Sequence, residues 1–567
     1  MYSATRKFGK ASYTLGFLRK TVSPSLASSL SHVRFQSDVA TESAGKCPIT
    51  GTSSAEATEY PQLKNVPAYP FVGSIIPQLS GVSTKLMSDP YAFWLDMRKD
   101  FGDFYSLGIP GTGSAKDSRG IIYLVSDPKE MAKVVRSGGS YPSGMAQGLW
   151  LNNKWTNMRG LKTGALFQQG EEWKRIRTFM QTDLLHPEAA KGYVAGMVQA
   201  AQIASKGAPY CKDNLNQFFN RCAFDLFASI MFGELTKSAD PNSETDPENH
   251  EFAQNVVDGL SNAIYCLMDP YESILGNGLG ITTKKQQYSF DKFDSAWEIG
   301  KRKVEEFTER KERGELNEYE KNSYLFKAID RQKEEGSGVT LQEAQELAFT
   351  GLFAAVDTTS AILGWNIFNV ARHEEVQQKL YDELSHAVST IGNGELTSDV
   401  LDRRNSPYLH ACIRETQRLT PPTPLFIFKK VDNPLEVNGV PLEEGDVVGL
   451  EGYSIGMDER FVDNPKEFRP ERWLADAVSE RKGTEKQVID HAFLKEPFSQ
   501  GARRCPGSRV AANETQVLLA QLVLDWKMDC PVKSLDDIKY SQKTLLELEV
   551  PQIEFEARAN FGEQVAA

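Results

Sequence analysis

The longest apolar run of the chain lies between Thr340 and Ala371 and predicts a helix. Its middle, Phe349 to Ile367, is apolar enough for a membrane span. Asp357, Thr358, Thr359, Ser360 and Asn366 interrupt that stretch, and such groups are costly in lipid. A helix buried through the core of a large soluble domain fits both properties. A second stretch, Val510 to Val523, predicts a helix although Asn513, Glu514, Thr515, Gln516 and Gln521 interrupt it. Residues 214–233 predict an apolar helix, and Phe252–Met268 and Phe290–Arg313 predict a pair joined by Asp269–Thr283.

Nearer the N-terminus, Asp89 to Phe101 predicts a helix capped by Asp89 with Pro90 in its first turn. Phe104–Gly108 and Gly120–Val125 predict strands. Val431 to Gly449 alternates strand and turn. Pro67 to Gly73 predicts a stiff, proline-set lead into the fold. Ser238 to Glu251 is acidic and proline-broken, and predicts an exposed loop.

Composition adds limits. The chain has 567 residues, 40% hydrophobic and 25% charged, which is ordinary for a globular protein. A net charge of −12 argues against nucleic acid as a partner. The seven cysteines are odd in number and include no C-x-x-C pair, which argues against a disulfide framework or a zinc site.

The first 37 residues differ from the rest. They carry Arg6, Lys7, Lys10, Arg19, Lys20 and Arg34, no acidic residue before Asp38, and many serines. That composition predicts a mitochondrial transit peptide over residues 1–37, with cleavage near Arg34–Ser37. A disordered basic tail has the same composition. Residues 38–60 are small and polar and predict a linker, leaving 61–560 for the folded domain.

The chemistry concentrates in Phe498-Ser-Gln-Gly501-Ala-Arg503-Arg-Cys505-Pro-Gly507. One cysteine stands beside two arginines and just before the predicted helix 510–523. Arg503 and Arg504 should lower its pKa, and a helix N-terminus favours a thiolate. Gly501 would allow a tight turn, and Gly507 would let the backbone approach a flat macrocycle. A thiolate is also the proximal donor of some haem irons. The pattern F-x-x-G-x-R-x-C-x-G is met at every fixed position and resembles the haem-binding signature of the cytochrome P450 superfamily.

Further segments carry the same resemblance, in that family's order. Trp173 and Arg177 are four apart, hence on one helix face; the resemblance makes them haem-propionate contacts. Ala354-Ala-Val-Asp357-Thr358-Thr359 resembles the oxygen-activation segment, with Ala355 in place of a usual glycine. It makes Asp357 and Thr358 an acid–alcohol relay for the protons that O₂ cleavage needs. For an isolated Asp-Thr-Thr, a threonine bonding back to the i−4 carbonyl is the plainer account. Glu415 and Arg418, with Arg472 of Pro470-Glu471-Arg472-Trp473, match the family's buried triad. Lys429 stands where relatives often place a propionate-binding arginine, and it keeps the charge without the bidentate geometry.

The resemblance implies a single-domain fold, mainly α with a smaller β region, with a long central helix over haem and a small β-sheet subdomain. It implies haem b (iron protoporphyrin IX, axial thiolate) on Cys505, with Phe498, Gly501, Arg503 and Gly507 in the cofactor loop. It is most similar to the mitochondrial class, which implies the matrix side of the inner membrane and electrons from an adrenodoxin-like ferredoxin and its reductase. Arg414 and His410 fall at that class's docking positions, with Arg414 expected to turn away from the buried pair. Two departures are Gly144, where such relatives often have Arg, and Ser508, where Arg often follows the motif.

The implied reaction is monooxygenation of a lipophilic molecule, with a sterol-like one as the class-based expectation. A haem-thiolate isomerase or dehydratase acting on a lipid peroxide, and a haem-binding sensor, are the competing readings. The loop 269–283 carries Tyr271, Ile274, Leu275, Leu279 and Ile281. It is either a peripheral membrane contact or a mobile loop with scattered apolar residues.

Overall fold

Side-chain caps fix where many of the helices begin. The computed structural model describes residues 63–558, apart from 67–88, 109–119, 145–149, 162–167, 244–246, 274, 277–278, 337, 423–426, 496, 539 and 543–545. Asp89 accepts the Ala92 N–H at 3.0 Å and starts α1 (Pro90–Phe101). Asp127 accepts the Lys129 N–H at 2.8 Å and starts α2 (Pro128–Ser137). The other long helices, in chain order, are α3 (Trp150–Met158), α4 (Gly170–Leu184), α5 (Val194–Gly207), α6 (Leu215–Met231), α7 (Pro247–Met268), α8 (Lys284–Arg313), α9 (Tyr324–Arg331), α10 (Leu341–Ala371), α11 (Glu374–Thr390), α12 (Pro407–Leu419) and α13 (Ser508–Asp525). At the head of α10, the Thr340 N–H donates to Glu343 at 2.8 Å and the Glu343 N–H donates to Thr340 Oγ1 at 3.2 Å.

The chain divides into two units, Met1–Glu59 and Tyr60–Ala567, and the described residues all belong to the second. The expected transit segment 1–37, the linker 38–60 and the proline segment 67–73 lie outside the described residues.

The architecture is mainly helical with small sheets. Among the described residues, α10 is the one helix long and apolar enough to cross a membrane. It is packed as a core helix, with Leu352, Leu363, Trp365, Ile367 and Phe368 fully buried. Helices α6, α9, α12 and α13 pack against it. A Cβ at Gly351 would lie 2.9 Å from Met231 and 3.0 Å from Phe227, so this glycine lets α6 approach.

Five strands form the main sheet in the order β1 (Lys64–Asn65), β2 (Phe104–Gly108), β3 (Ile121–Val125), β7 (Val447–Leu450) and β4 (Ile427–Lys430). Lys429 pairs with Val448, which pairs in turn with Tyr123, so the sheet fixes where Lys429 stands. The hairpin of β5 (Leu435–Val437) and β6 (Val440–Leu442) accounts for the alternation seen over 431–449.

One expectation needs correcting. Ser238 and Ala239 are buried rather than exposed, and the acidic stretch after them is already helical from Pro247. The cause is Asp225 of α6. Its carboxylate accepts from Thr236 Oγ1, both the N–H and hydroxyl of Ser238, and the Ala239 N–H. A buried acid with four donors draws the polar segment inward.

Candidate active site

The cysteine loop is closed by its own backbone. The Cys505 N–H donates to the Phe498 carbonyl at 3.0 Å, and the Arg504 N–H donates to the Gly501 carbonyl at 3.0 Å. Gly501 has φ +81°, and a Cβ there would meet Val135 of α2 at 2.5 Å. Both its conformation and that close approach exclude a side chain. Helix α13 starts at Ser508, so the thiol sits just before its N-terminus, and the Gly507 N–H donates to it.

Burial pushes the Cys505 thiol up from its ordinary value, against the Gly507 N–H, Arg177 and Arg504. The expectation that Arg503 and Arg504 lower it is corrected in two respects. Burial outweighs the cations, and the second cation is Arg177. A metal that takes this sulfur as thiolate displaces its proton. Arg503 is engaged elsewhere. It donates to the carbonyls of Pro142 (2.7 Å) and Gln168 (2.9 Å) and to Gln169 Oε1 (3.1 Å), with its guanidinium 4.4 Å from the Trp173 ring centre. A Cβ at Gly144 would lie 2.5 Å from Arg503 Nη1, so Arg503 fills the room that an arginine at 144 would need.

Trp173 and Arg177 lie on one face of α4, 2% and 6% exposed. Arg177 Nε is buried without a hydrogen-bond partner among the described residues. Its charge is felt by Cys505, Arg503 and Arg504. Burial and Arg503 push Lys429 down to about 8. Among the described residues, Arg177, Arg503 and Lys429 form no salt bridge. Burial disfavours all three charges, offset at Arg503 by the Asp432 carboxylate nearby. An anionic group such as the paired carboxylates of a haem satisfies them, so the donor set fits that cofactor.

On α10 the burial pattern breaks at the middle. Leu352, Val356 and Thr359 are buried, Asp357 is half-buried, and Ala354 and Thr358 are exposed. Thr358 Oγ1 donates to the Ala354 carbonyl at 2.9 Å and lies 3.3 Å from that of Ala355, the back-bonding arrangement.

Glu415 of α12 gathers the second cluster and is 0% exposed. Arg418 donates to it from Nε (2.9 Å) and Nη2 (2.7 Å), and Arg472 Nε donates at 3.1 Å. The Arg469 N–H (3.0 Å) and the Trp473 indole N–H (2.9 Å) complete the shell. Arg418 reaches on to the carbonyls of Gly456, Pro465 and Glu467, and Arg472 to those of Asp463 and Asn464. A buried ion cluster holds only when every lone pair and N–H is used in this way.

Arg414 is only half exposed, because its guanidinium is held by neighbouring groups. Its guanidinium lies 4.0 Å from the Trp473 ring centre and 3.4 Å from the carbonyls of Ile489 and Lys495. Trp473 thus supports Glu415 through its N–H and Arg414 through its face. His410 Nε2 is 2.9 Å from the Leu401 carbonyl, and burial pushes the imidazole below its ordinary pKa. Sequence reading left Trp473 without a role although its motif was in view. It also passed over Glu514, whose signal was a lone acid inside an apolar helix.

A buried cysteine just before a helix N-terminus, with the Arg177 charge beside it and Arg503 and Lys429 adjoining that arginine, fits a haem-thiolate site. A family model for cytochrome P450 matches residues 74–555, and the chain belongs to that family. Its members bind haem through a cysteine thiolate, and its relatives are monooxygenases. A probable cytochrome P450 516B1 of Dictyostelium discoideum is 33% identical over 192 residues, which is 33% of this chain and 38% of that protein. Cytochrome P450 27C1 of Danio rerio is 24% identical over 72% of this chain and 73% of its own length. The mitochondrial cholesterol side-chain cleavage enzyme of Capra hircus is 24% identical over 72% of this chain and 74% of its own.

Proposed function

We propose that the protein hydroxylates a lipophilic, sterol-like substrate in the mitochondrion, on the matrix side of the inner membrane, using an adrenodoxin-like ferredoxin and its reductase. The observation that carries the haem-site assignment is the Cys505 thiol set just before α13, with the Gly507 N–H and the buried Arg177 charge acting on it. The basic, acid-free segment 1–37 and the likeness to a mitochondrial cholesterol side-chain cleavage enzyme support the location and substrate class.

Haem, when bound, supplies dioxygen activation and oxygen transfer. Cys505 would hold its iron through the sulfur, with the Gly507 N–H favouring negative charge there. Trp173, Arg177, Lys429 and Arg503 would hold its carboxylates. Phe498, Gly501 and Gly507 shape the loop. Asp357 and Thr358 hold and pass protons on the open face of α10, from which the Thr358 hydroxyl can leave the Ala354 carbonyl.

The electron donor meets the side of the cysteine loop. Arg414 and His410 are half-buried, so docking charge falls chiefly to exposed Arg509 beside the loop and to exposed Lys129 and Arg136 on α2, which packs on Gly501. Peripheral membrane contact falls to the loop 269–283. There Tyr271 (66%), Leu279 (64%) and Ile281 (51%) are exposed, and Glu272 ties the base to Thr283 and Gln286.

Turnover of a lipid panel with NADPH, ferredoxin and ferredoxin reductase tests the reading. Hydroxylated product is expected. Conversion of a lipid peroxide without any electron supply would favour the isomerase instead. A 1–37 fluorescent fusion is expected in mitochondria, and reticular fluorescence would refute the location.

A further inference from the structure

Helix α13 leaves the cysteine loop and packs against α10. Where they meet, Thr359 Oγ1 donates to Glu514 Oε2 at 3.2 Å. Both side chains are buried, 2% and 1% exposed. Glu514 Oε1 has no hydrogen-bond partner among the described residues. Burial pushes the carboxyl up to about 8, opposed by the Thr359 hydroxyl. A buried acid of this kind needs a reason to be there.

The neighbouring hydroxyls supply one. Thr358 bonds back to the Ala354 carbonyl and Ser360 to the Asp357 carbonyl, so both hydroxyls stay within their own helix. Such back-bonds weaken and bend a helix. Of the three consecutive residues 358–360, Thr359 alone sends its hydroxyl across to another element. That bond anchors a softened turn to the helix that begins beside Cys505.

We propose that Glu514 is a positioning residue for oxygen activation, acting through Thr359 to hold the turn that carries Asp357 and Thr358. The proposal rests on the monooxygenase reading and names no direct contact of Glu514 with haem or substrate. Its specific content is one hydrogen bond between two helices. Glutamine can keep that bond, whereas leucine cannot.

The test compares Glu514→Gln, Glu514→Leu, Thr359→Val and the Glu514→Leu/Thr359→Val double variant in the haem-loaded protein. Substrate affinity and the ferrous–CO spectrum are expected to stay unchanged. Product formed per hydrogen peroxide released should fall roughly three- to tenfold in Glu514→Leu and Thr359→Val, the scale of one neutral hydrogen bond. The double variant should be no worse than either single change, and Glu514→Gln should stay near wild type. Should Glu514→Leu fail to fold, Thr359→Val carries the same expectation. A second readout needs no turnover. In the infrared spectrum of the ferric protein, a protonated carboxylic acid band should vanish in Glu514→Gln and move to higher frequency in Thr359→Val. Additive losses, glutamine as poor as leucine, or an acid band unmoved by Thr359→Val would overturn the proposal. Loss of wild-type turnover with the infrared response intact would count against the monooxygenase reading and not against the bond.

Discussion

The indole N–H of Trp473 donates to Glu415 Oε2 at 2.9 Å, and the same indole carries the Arg414 guanidinium on its face. Consecutive residues of α12, one buried acid and one half-buried base, are thus held by a single side chain from the segment 470–473. Glu415→Ala would leave the Arg418 and Arg472 guanidinium groups buried without their carboxylate. It should cost about 3–5 kcal/mol. Trp473→Phe keeps the packing and loses one charge-assisted bond, about 1.5–3 kcal/mol. Denaturant midpoints of the haem-loaded proteins should rank wild type, Trp473→Phe, then Glu415→Ala.

Lys429 gives a pH signature to the haem-free protein. Burial and Arg503 hold it down to about 8, whereas an unfolded chain titrates near 10.4. Between those values the unfolded chain binds the proton and the folded one does not, so stability rises with pH across that window. Lys429→Met should flatten the rise and stabilise the haem-free protein below about pH 8. In the same variant, haem retention should weaken. Urea midpoints against pH, with haem transfer rates to apomyoglobin, check both halves.

Thr358→Ala removes a hydroxyl that bonds only within its own helix, so folding and haem content should hold. Product should give way to hydrogen peroxide at several-fold higher yield while NADPH oxidation continues. Tightly coupled turnover would reject the relay role of Thr358.

Arg509 and Arg414 should separate docking from structure. Arg509 is exposed beside the cysteine loop, so Arg509→Glu should raise the ferredoxin KM several-fold, with an effect that fades in high salt. Arg414→Glu should instead lower stability, because it replaces the cation on Trp473. Since burial pushes His410 below its ordinary pKa, any gain in ferredoxin affinity through that residue should come at lower pH than an exposed histidine would give.

What the sequence made legible was whatever depends on local order. The helix cap at Asp89, the start of the long helix at Thr340, the cysteine before α13, and the i, i+3 pair Glu415–Arg418 all follow from spacing along one element. What it hid depends on approach from elsewhere. Arg414 was expected outward because it precedes an inward residue, yet Trp473 comes from another segment and covers it. Arg503 was expected to act on the thiol, but three acceptors from 142 and 168–169 draw it away. Ser238 looked exposed by composition until Asp225 supplied a buried acceptor. Glu514 looked like an interruption of an apolar helix, and only the packing of α10 on α13 gives it a partner.

The central claim is that Cys505 is the thiolate ligand of the haem. The ferrous–CO spectrum of Cys505→Ser tests it most directly, read beside wild type at matched haem content. The wild type should show the red-shifted Soret band of a thiolate-ligated haem, and Cys505→Ser should lose that band or fail to retain haem. The same band persisting undiminished in Cys505→Ser would contradict the assignment.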